Sequence, residues 1–439
     1  MSTPQKVGRT GPMCLHGTAV FNRPGAQGKR TTAGSPAVVL PCALARILSS
    51  PYKVSMLSGS QRSAPTGRDE LRRIRVSAIF STLLEAGPLA RTDLAHRTGY
   101  SPSTVTGIVQ DLSDAGYLRV VGQQESTGGR RRTLIELNRS SVTIAVVGLR
   151  GTRIWCALVD LDGNRLDAAE QDFDPADPVG SAATTVMSLH RRAVIPPVHV
   201  VVALPGVVAS DGSVALAPAF GPVAHLRLVD ELEATTGLRT TVENDVNLIA
   251  LGERVDGAGN GVEDLVLIHV AEGIGATIIA RGEVLDGSSR SAGEIGFLPQ
   301  GLAASPRGER GDYERRWTAA GIRESGALLG LSFPAGTVVE SLCSADSPAA
   351  VRLLDDVIQA WAFAAIICVC VVNPARVIFS GDAVLLTGDA REKLRGTVQR
   401  SAPSLTEVVF AELGQAAILH GAIAKVVKSP ATLFTEVAG

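Results

Sequence analysis

Two stretches of this chain share one make-up. VTIAVVGLRGTRIWCALVDLDGNRL begins at Val142 and LVLIHVAEGIGATIIARGEVL at Leu265. Each is a β-branched apolar run, then a glycine-bearing turn, then a second apolar run, which is the pattern of strands buried in a sheet. The first reads as two strands with a hairpin at Asp162-Gly163, the second as two strands with Gly273 and Gly275 at the turn. Because they start about 120 residues apart, they predict two similar lobes with a cleft between them. VHVVVALPGVV adds a buried strand running into a Pro-Gly turn, and RVIFSGD a late strand. Helical patterns fill the gaps, notably over 348–372 and 411–428. Strands alternating with helices define an α/β chain, and with only 4% aromatic residues its cores must be packed by aliphatic side chains.

Ahead of these blocks the chain changes character. Residues 1–60 carry seven Lys/Arg and no acid, and residues 61–140 carry twelve against eight, so the net charge of -1 hides a basic front on an acidic body. Such a front fits nucleic-acid contact. Residues 1–68, rich in Gly, Ser, Pro and Thr without sustained periodicity, are expected to be a disordered basic tail. Met56 is a plausible natural start, which would make 1–55 a misassigned extension.

From Leu71 a helical pattern runs through Ile74, Ala78, Ile79 and Leu83 to Gly87-Pro88. A second helix lies in RTDLAHRTG, ended by Gly99. Ser101 is placed to cap a third, with Pro102 at its first position. That third helix puts Val105, Ile108, Val109 and Leu112 on one face and Ser103, Thr106, Gly107 and Gln110 on the other. YLRVVG and RTLIELN then read as strands joined by the cationic QQESTGGRRR. Three helices and a hairpin with a basic tip describe a winged helix-turn-helix. Its expected DNA contacts are Ser101, Ser103, Thr104, Thr106 and Gln110, with Arg130, Arg131 and Arg132 reaching phosphates.

The six cysteines form no CxxC pair, and Cys368 and Cys370 read as buried small hydrophobes. No disulfide framework is visible, which points to a reducing cytoplasm. No stretch reads as a convincing membrane span.

TVENDVNLIALGE, residues 241–253, is the sharpest chemical signal. A strand ending in Glu243-Asn244-Asp245 can hold a ligand hydroxyl and accept its proton, although Asp245 can equally cap the following helix. EIGFLPQGLAASPRGERGDYE, residues 294–314, brackets two glycines with two glutamates, as in a metal-binding knuckle.

Segments 71–137 and 142–428 resemble the ROK family of repressors, open reading frames and sugar kinases. LLEAGPLARTDLAHRTGYSPSTVTGIVQDLSDAGYL, GGRRRTLIELN, ALPGVV, ENDVNLIALGE, AEGIGA, SAGEIG, NPARVIFSGD and LHGAIA carry the resemblance. It implies an N-terminal winged helix-turn-helix over 69–140. A two-lobed actin-like fold of the sugar kinase or RNase H-like ATPase type then follows over 141–439, with lobes of about 141–258 plus 411–439, and 259–410. It implies a cytoplasmic homodimer or homotetramer that binds a double-stranded DNA operator and a sugar-like effector, with no membrane partner. Carried onto this sequence, Asn244 and Asp245 hold sugar hydroxyls, Asp245 being the kinase base, Glu294 and Glu314 are further sugar ligands, and Gly206 lies near the sugar.

The sequence also departs from the family. Phe297, Ser305, Arg307 and Asp312 occupy the four zinc-ligand positions, so no metal and no cofactor is expected; Phe297 instead offers a stacking face or an apolar wall. A divalent site of Glu309, Asp312 and Glu314 is the weaker alternative. The first phosphate loop reads Gly148-Leu149-Arg150-Gly151-Thr152-Arg153, losing the acidic residue. The second puts Glu272 where a threonine is usual, against the charge of a phosphate. The reading is therefore a sugar-sensing regulator, a repressor, without catalysis; the alternative is a ROK sugar kinase phosphorylating a hexose from ATP through Asp245.

Overall fold

A computed structural model describes residues 67–124, 132–209, 212–216, 227–300, 310–430 and 433. The expected tail, apart from Gly67 and Arg68, lies outside them, as do the proposed start at Met56 and Arg130, Arg131, Ser305, Arg307, Gly308 and Glu309.

The described chain begins with α1 (Gly67–Ala86), β1 (Leu89–Ala90), α2 (Arg91–Thr98) and α3 (Pro102–Asp114), followed by β2 (Leu118–Gln124) and β3 (Arg132–Leu137). The helices end where the sequence says they should. Gly99 closes α2 in the left-handed conformation at φ 71°, and the Ser101 side chain accepts the Thr104 N–H ahead of Pro102. The wing is a three-stranded sheet in the order β1-β3-β2. Val105, Val109 and Leu112 of α3 are fully buried with Ile79, Phe80 and Leu94, each such side chain contributing roughly 1.5–3 kcal/mol by leaving water.

The first lobe contains β4 (Thr143–Arg150), β5 (Arg153–Asp160), β6 (Arg165–Asp172), α4 (Pro178–His190), β7 (His199–Leu204), β8 (Val207–Val208), β9 (Val214–Leu216), α5 (Leu228–Thr236), β10 (Arg239–Asn244) and α6 (Asp245–Asp256). The second contains β11 (Leu265–Val270), β12 (Ile274–Ala280), β13 (Glu283–Val284), α7 (Asp312–Trp317), α8 (Ala319–Leu328), α9 (Val338–Cys343), α10 (Pro348–Val372), β14 (Arg376–Gly381), α11 (Gly388–Ser401) and β15 (Glu407–Phe410); α12 (Ala416–Val427) follows. The two large sheets run β10-β7-β4-β5-β6 and β13-β12-β11-β14-β15. Numbered within each sheet, both follow the order 3-2-1-4-5. In both, the first strand pairs antiparallel with the second and parallel with the fourth. This duplicated plan is the two-lobed actin-like fold.

Five expectations are corrected. The first block holds three strands, not two, because the chain already turns at Gly151-Thr152 between β4 and β5 before turning again at Asp162-Gly163. The polar β6, RLDAAEQD, alternates toward solvent and carries no apolar run. Gly275 lies within β12, paired with His269, and the last helix starts at Ala416, not 411. Cys370 is exposed, while Cys368 is buried as expected. Finally, α10 is long and apolar enough by length and composition to cross a membrane; half of its apolar window is buried in the protein, where Trp361 anchors the second core.

The helices α6 and α12 form a layer against both sheets. Leu248 packs with Val201 and Ala203 of β7, while Ile249 and Leu251 pack with Leu265 and Leu267 of β11. The pair touches backbone to backbone: a Cβ at Gly252 would meet the Ala417 carbonyl oxygen at 2.0 Å, and one at Gly421 the Leu248 oxygen at 1.8 Å. No residue larger than glycine fits at that crossing. The same apolar core continues from α12 into the winged helix-turn-helix, through Val426, Leu161, Val142 and Leu137. The Leu161 N–H donates to the Arg139 carbonyl at 3.1 Å across this junction.

Candidate functional site

Strand β10 delivers the END segment to the cleft. Asn244 is the N-cap of α6, its Oδ1 accepting the Asn247 N–H at 3.0 Å, so the capping role open to Asp245 falls to its neighbour. Asn244 Nδ2 donates to the Gly206 carbonyl at 2.9 Å, which fastens the Pro-Gly turn of the first lobe beside the site. Asp245 is the first helical residue. Its carboxyl is pushed up to about 6 because it is withdrawn from water, with the Val246 N–H pulling the other way.

The second lobe supplies the remaining carboxylates. Glu294 precedes a 3-10 turn over Ile295–Phe297, and Glu314 lies on α7. Burial, then the negative charges of Glu314 and Asp245, push Glu294 up to about 7. Glu314 is raised by burial, offset by the Ile274 N–H at 3.3 Å and by Arg310 at 3.8 Å. The structure thus brings Gly206 against Asn244, and the charges of Asp245 and Glu314 near enough to Glu294 to act on it. Phe297 is half-buried beside them.

The EIGFLPQ…GDYE segment is ordered by packing at both described ends. Tyr313 is 1% exposed and donates its hydroxyl to the Ala360 carbonyl at 2.7 Å; Trp317 Nε1 donates to Gln300 at 2.9 Å. Gly311 crosses so close to Gly296 that a Cβ would stand 2.0 Å from its carbonyl oxygen. Among the zinc-ligand positions, Phe297 has no lone pair to give, and Asp312 is turned to Arg315.

The turns at Gly151 and Glu272 come together, where a Cβ at Gly151 would lie 3.9 Å from Glu272 Oε1. Gly148 pairs with Trp155 in the β4–β5 ladder, and the Trp155 ring fills the space above it: a Cβ at 148 would come within 2.5 Å of Cζ2.

Sequence reasoning missed two acids of TVENDVNLIALGE. Glu253, fully buried, accepts the N–H groups of Ala258, Glu412 and Leu413, tying α6 to the segment before α12. Glu243, 3% exposed, accepts Arg290 at 2.9 Å and Lys425 at 2.5 Å. Burial alone would raise its carboxyl, but Lys425, Asn247 and Arg290 outweigh that and hold it below the usual range. Their spacing from Asn244 and Asp245 was readable; their distant partners were not.

On the winged helix-turn-helix, Ser103, Thr106, Gly107 and Gln110 are exposed along one face of α3 and Thr104 is half-buried. The Ser101 hydroxyl is engaged with Ser103 and Thr104 at the cap. Gln110 donates to Asp114 at 2.8 Å, and exposed Arg132 pairs with Asp93 at 3.2 Å.

The sequence pattern of the ROK family matches residues 144–429, and that of the IclR helix-turn-helix domain matches residues 74–122. The chain is 28% identical over 251 residues to the DNA-binding transcriptional dual regulator NagC of Escherichia coli (strain K12), covering 55% of this chain and 60% of that one. It is 24% identical over 237 residues to the DNA-binding transcriptional repressor Mlc of the same organism, covering 52% and 58%. The matches therefore span about 60% of the length of these relatives. A crystal structure of a ROK family transcriptional regulator, described as a homolog of the E. coli Mlc protein, superposes with a TM-score of 0.69 at 22% identity, over 84% of this chain and 99% of that one.

Proposed function

The chain belongs to the ROK family, and from that premise we propose that it is a DNA-binding transcriptional regulator, a repressor, whose ROK body senses a sugar or sugar derivative. The observation that carries the reading is the joining, through one continuous core, of a helix-turn-helix to the body that bears Asn244, Asp245, Glu294 and Glu314. Carboxylates and an amide accept and donate to sugar hydroxyls, and Phe297 supplies an apolar face. Exposed Ser103, Thr106 and Gln110 are suited to base edges, with Arg132 at a phosphate. Ser101 and Thr104 then position the helix start, and Arg130 and Arg131 extend the cationic wing. The protein acts in the cytoplasm as a homodimer or homotetramer, since paired half-sites call for paired recognition helices. Effector binding biases the lobes and through them the spacing of those helices.

The body transfers no phosphate in this reading. Trp155 stands where an acidic side chain at 148 would have to fit, and the Glu272 carboxylate faces the turn at Gly151. Both oppose a nucleotide's phosphates and their magnesium. The kinase alternative retains one supporting observation, Asp245 at about 6, a value suited to a general base at neutral pH.

Gel-shift titration on the chain's own promoter region, with and without a panel of sugars, tests the proposal. Retarded DNA whose affinity changes with one sugar is expected. ATP turnover on that panel, abolished by Asp245→Asn, would instead establish the kinase.

A further inference from the structure

Glu243 is the meeting point of three separate parts of the chain. Its Oε1 accepts the Asn244 N–H and the Asn247 side-chain amide, both at 3.0 Å. Its Oε2 accepts Arg290 from the second lobe and Lys425 from α12. Asn247 in turn accepts the Thr277 hydroxyl of β12 at 2.9 Å. Two cations on one buried carboxylate leave an excess positive charge, which Asp286 balances at 3.6 Å from Arg290. Such a set of buried charges holds only while every partner is in place.

Arg290 is one of three described non-glycine residues with a left-handed backbone, at φ 56°. A residue with a Cβ adopts that conformation only when its surroundings enforce it. Here the enforcement is its side chain, four-fifths buried, reaching across to Glu243. Four residues later the same loop presents Glu294, and its other anchor is the Ala276 N–H donating to the Gly293 carbonyl at 2.8 Å. The loop is therefore fastened to β12 on one side and, through Arg290, to the first lobe on the other.

We infer that Arg290 is a positioning residue of the effector site: it acts through Glu243 to fix the loop that carries Glu294 against the strand that carries Asn244 and Asp245. Lys425 on the same carboxylate gives α12, and with it the core shared with the DNA-binding module, a contact that moves when that loop moves. This rests on the effector-site reading given above, but the interaction exists without a ligand.

Hydrogen–deuterium exchange of the full chain, with no sugar added, tests it. In Arg290→Met, amides over 286–297 exchange about tenfold faster than in the parent, while α10 and the sheet cores keep their protection. Arg290→Lys, which keeps the charge, restores protection to within about threefold. Glu243→Gln combined with Arg290→Met is no faster than the more affected single variant, because both remove one interaction. Unchanged exchange over 286–297, a lysine variant no better than methionine, or a uniform loss across the chain would overturn the assignment. If Arg290→Met does not fold, Asp286→Asn reads the same loop, and unchanged exchange there counts against it equally. Because no sugar is present, a chain that binds none still reports on Arg290.

Discussion

The ring of Trp155 lies over the α-carbon of Gly148, its cross-strand partner, so closely that a Cβ at 148 would come within 2.5 Å of it. Restoring an acidic residue there is therefore not a point repair. Gly148→Asp should lower the thermal midpoint, at a cost of about 1–3 kcal/mol for overpacking, and should give no ATP turnover. Thermal unfolding and a coupled ATPase assay check both. A variant as stable as the parent that hydrolyses ATP would show the phosphate site to be open.

Glu294 gives the stability of the body a definite pH dependence. Its folded value of about 7 lies above the ordinary 4.5, so the folded chain keeps a proton that the unfolded chain releases. The stability from this group is complete below about pH 4.5 and drains away as pH rises through 7. Asp245, raised to about 6, adds a slope of the same sign. Glu294→Gln should be more stable than the parent at pH 8 by on the order of 1–2 kcal/mol, and the advantage should vanish at pH 4. Urea unfolding at several pH values measures it; an advantage independent of pH would contradict the assignment.

Glu253 predicts a larger effect. Its carboxylate satisfies three backbone N–H groups in the interior. Glu253→Ala leaves them without an acceptor and should cost about 3–5 kcal/mol, read as a fall in the urea midpoint. A loss under about 1 kcal/mol would mean that water replaces the carboxylate.

The two kinds of DNA contact should separate experimentally. Arg132→Ala should weaken binding to every sequence alike and reduce the salt slope by about one, as for one lost phosphate contact. Gln110→Ala should leave the salt slope unchanged and reduce discrimination among operators by about 1–3 kcal/mol. Gel shifts over a salt series and a set of operator variants distinguish them.

Much of this was legible in the sequence because it rests on local chemistry. Ser101, Pro102 and Gly99 bound their helices by capping and by φ, and the apolar face of α3 follows from its period. Asn244, Asp245, Glu294 and Glu314 were legible through family resemblance, though no spacing says that they meet. The turn at Gly151-Thr152 was hidden because the apolar runs on either side read as one strand. β6 was hidden because a strand facing water carries no apolar signal. The cationic partners of Glu243 come from 47 and 182 residues away, and two of the three N–H groups on Glu253 from 159 and 160, and only the fold brings them together.

The glycine crossing of α6 and α12 has a consequence for biosynthesis. The first sheet is complete when the ribosome has passed residue 244, yet one of the two helices that form the layer between the sheets is made only at residues 416–427. Until then Val201, Ala203 and Leu248 have only part of their cover. A nascent chain must carry that open apolar surface through synthesis of the whole second lobe, the condition under which chaperones engage. A stop codon before residue 416 would release a chain whose winged helix-turn-helix lacks part of the core it shares with the body.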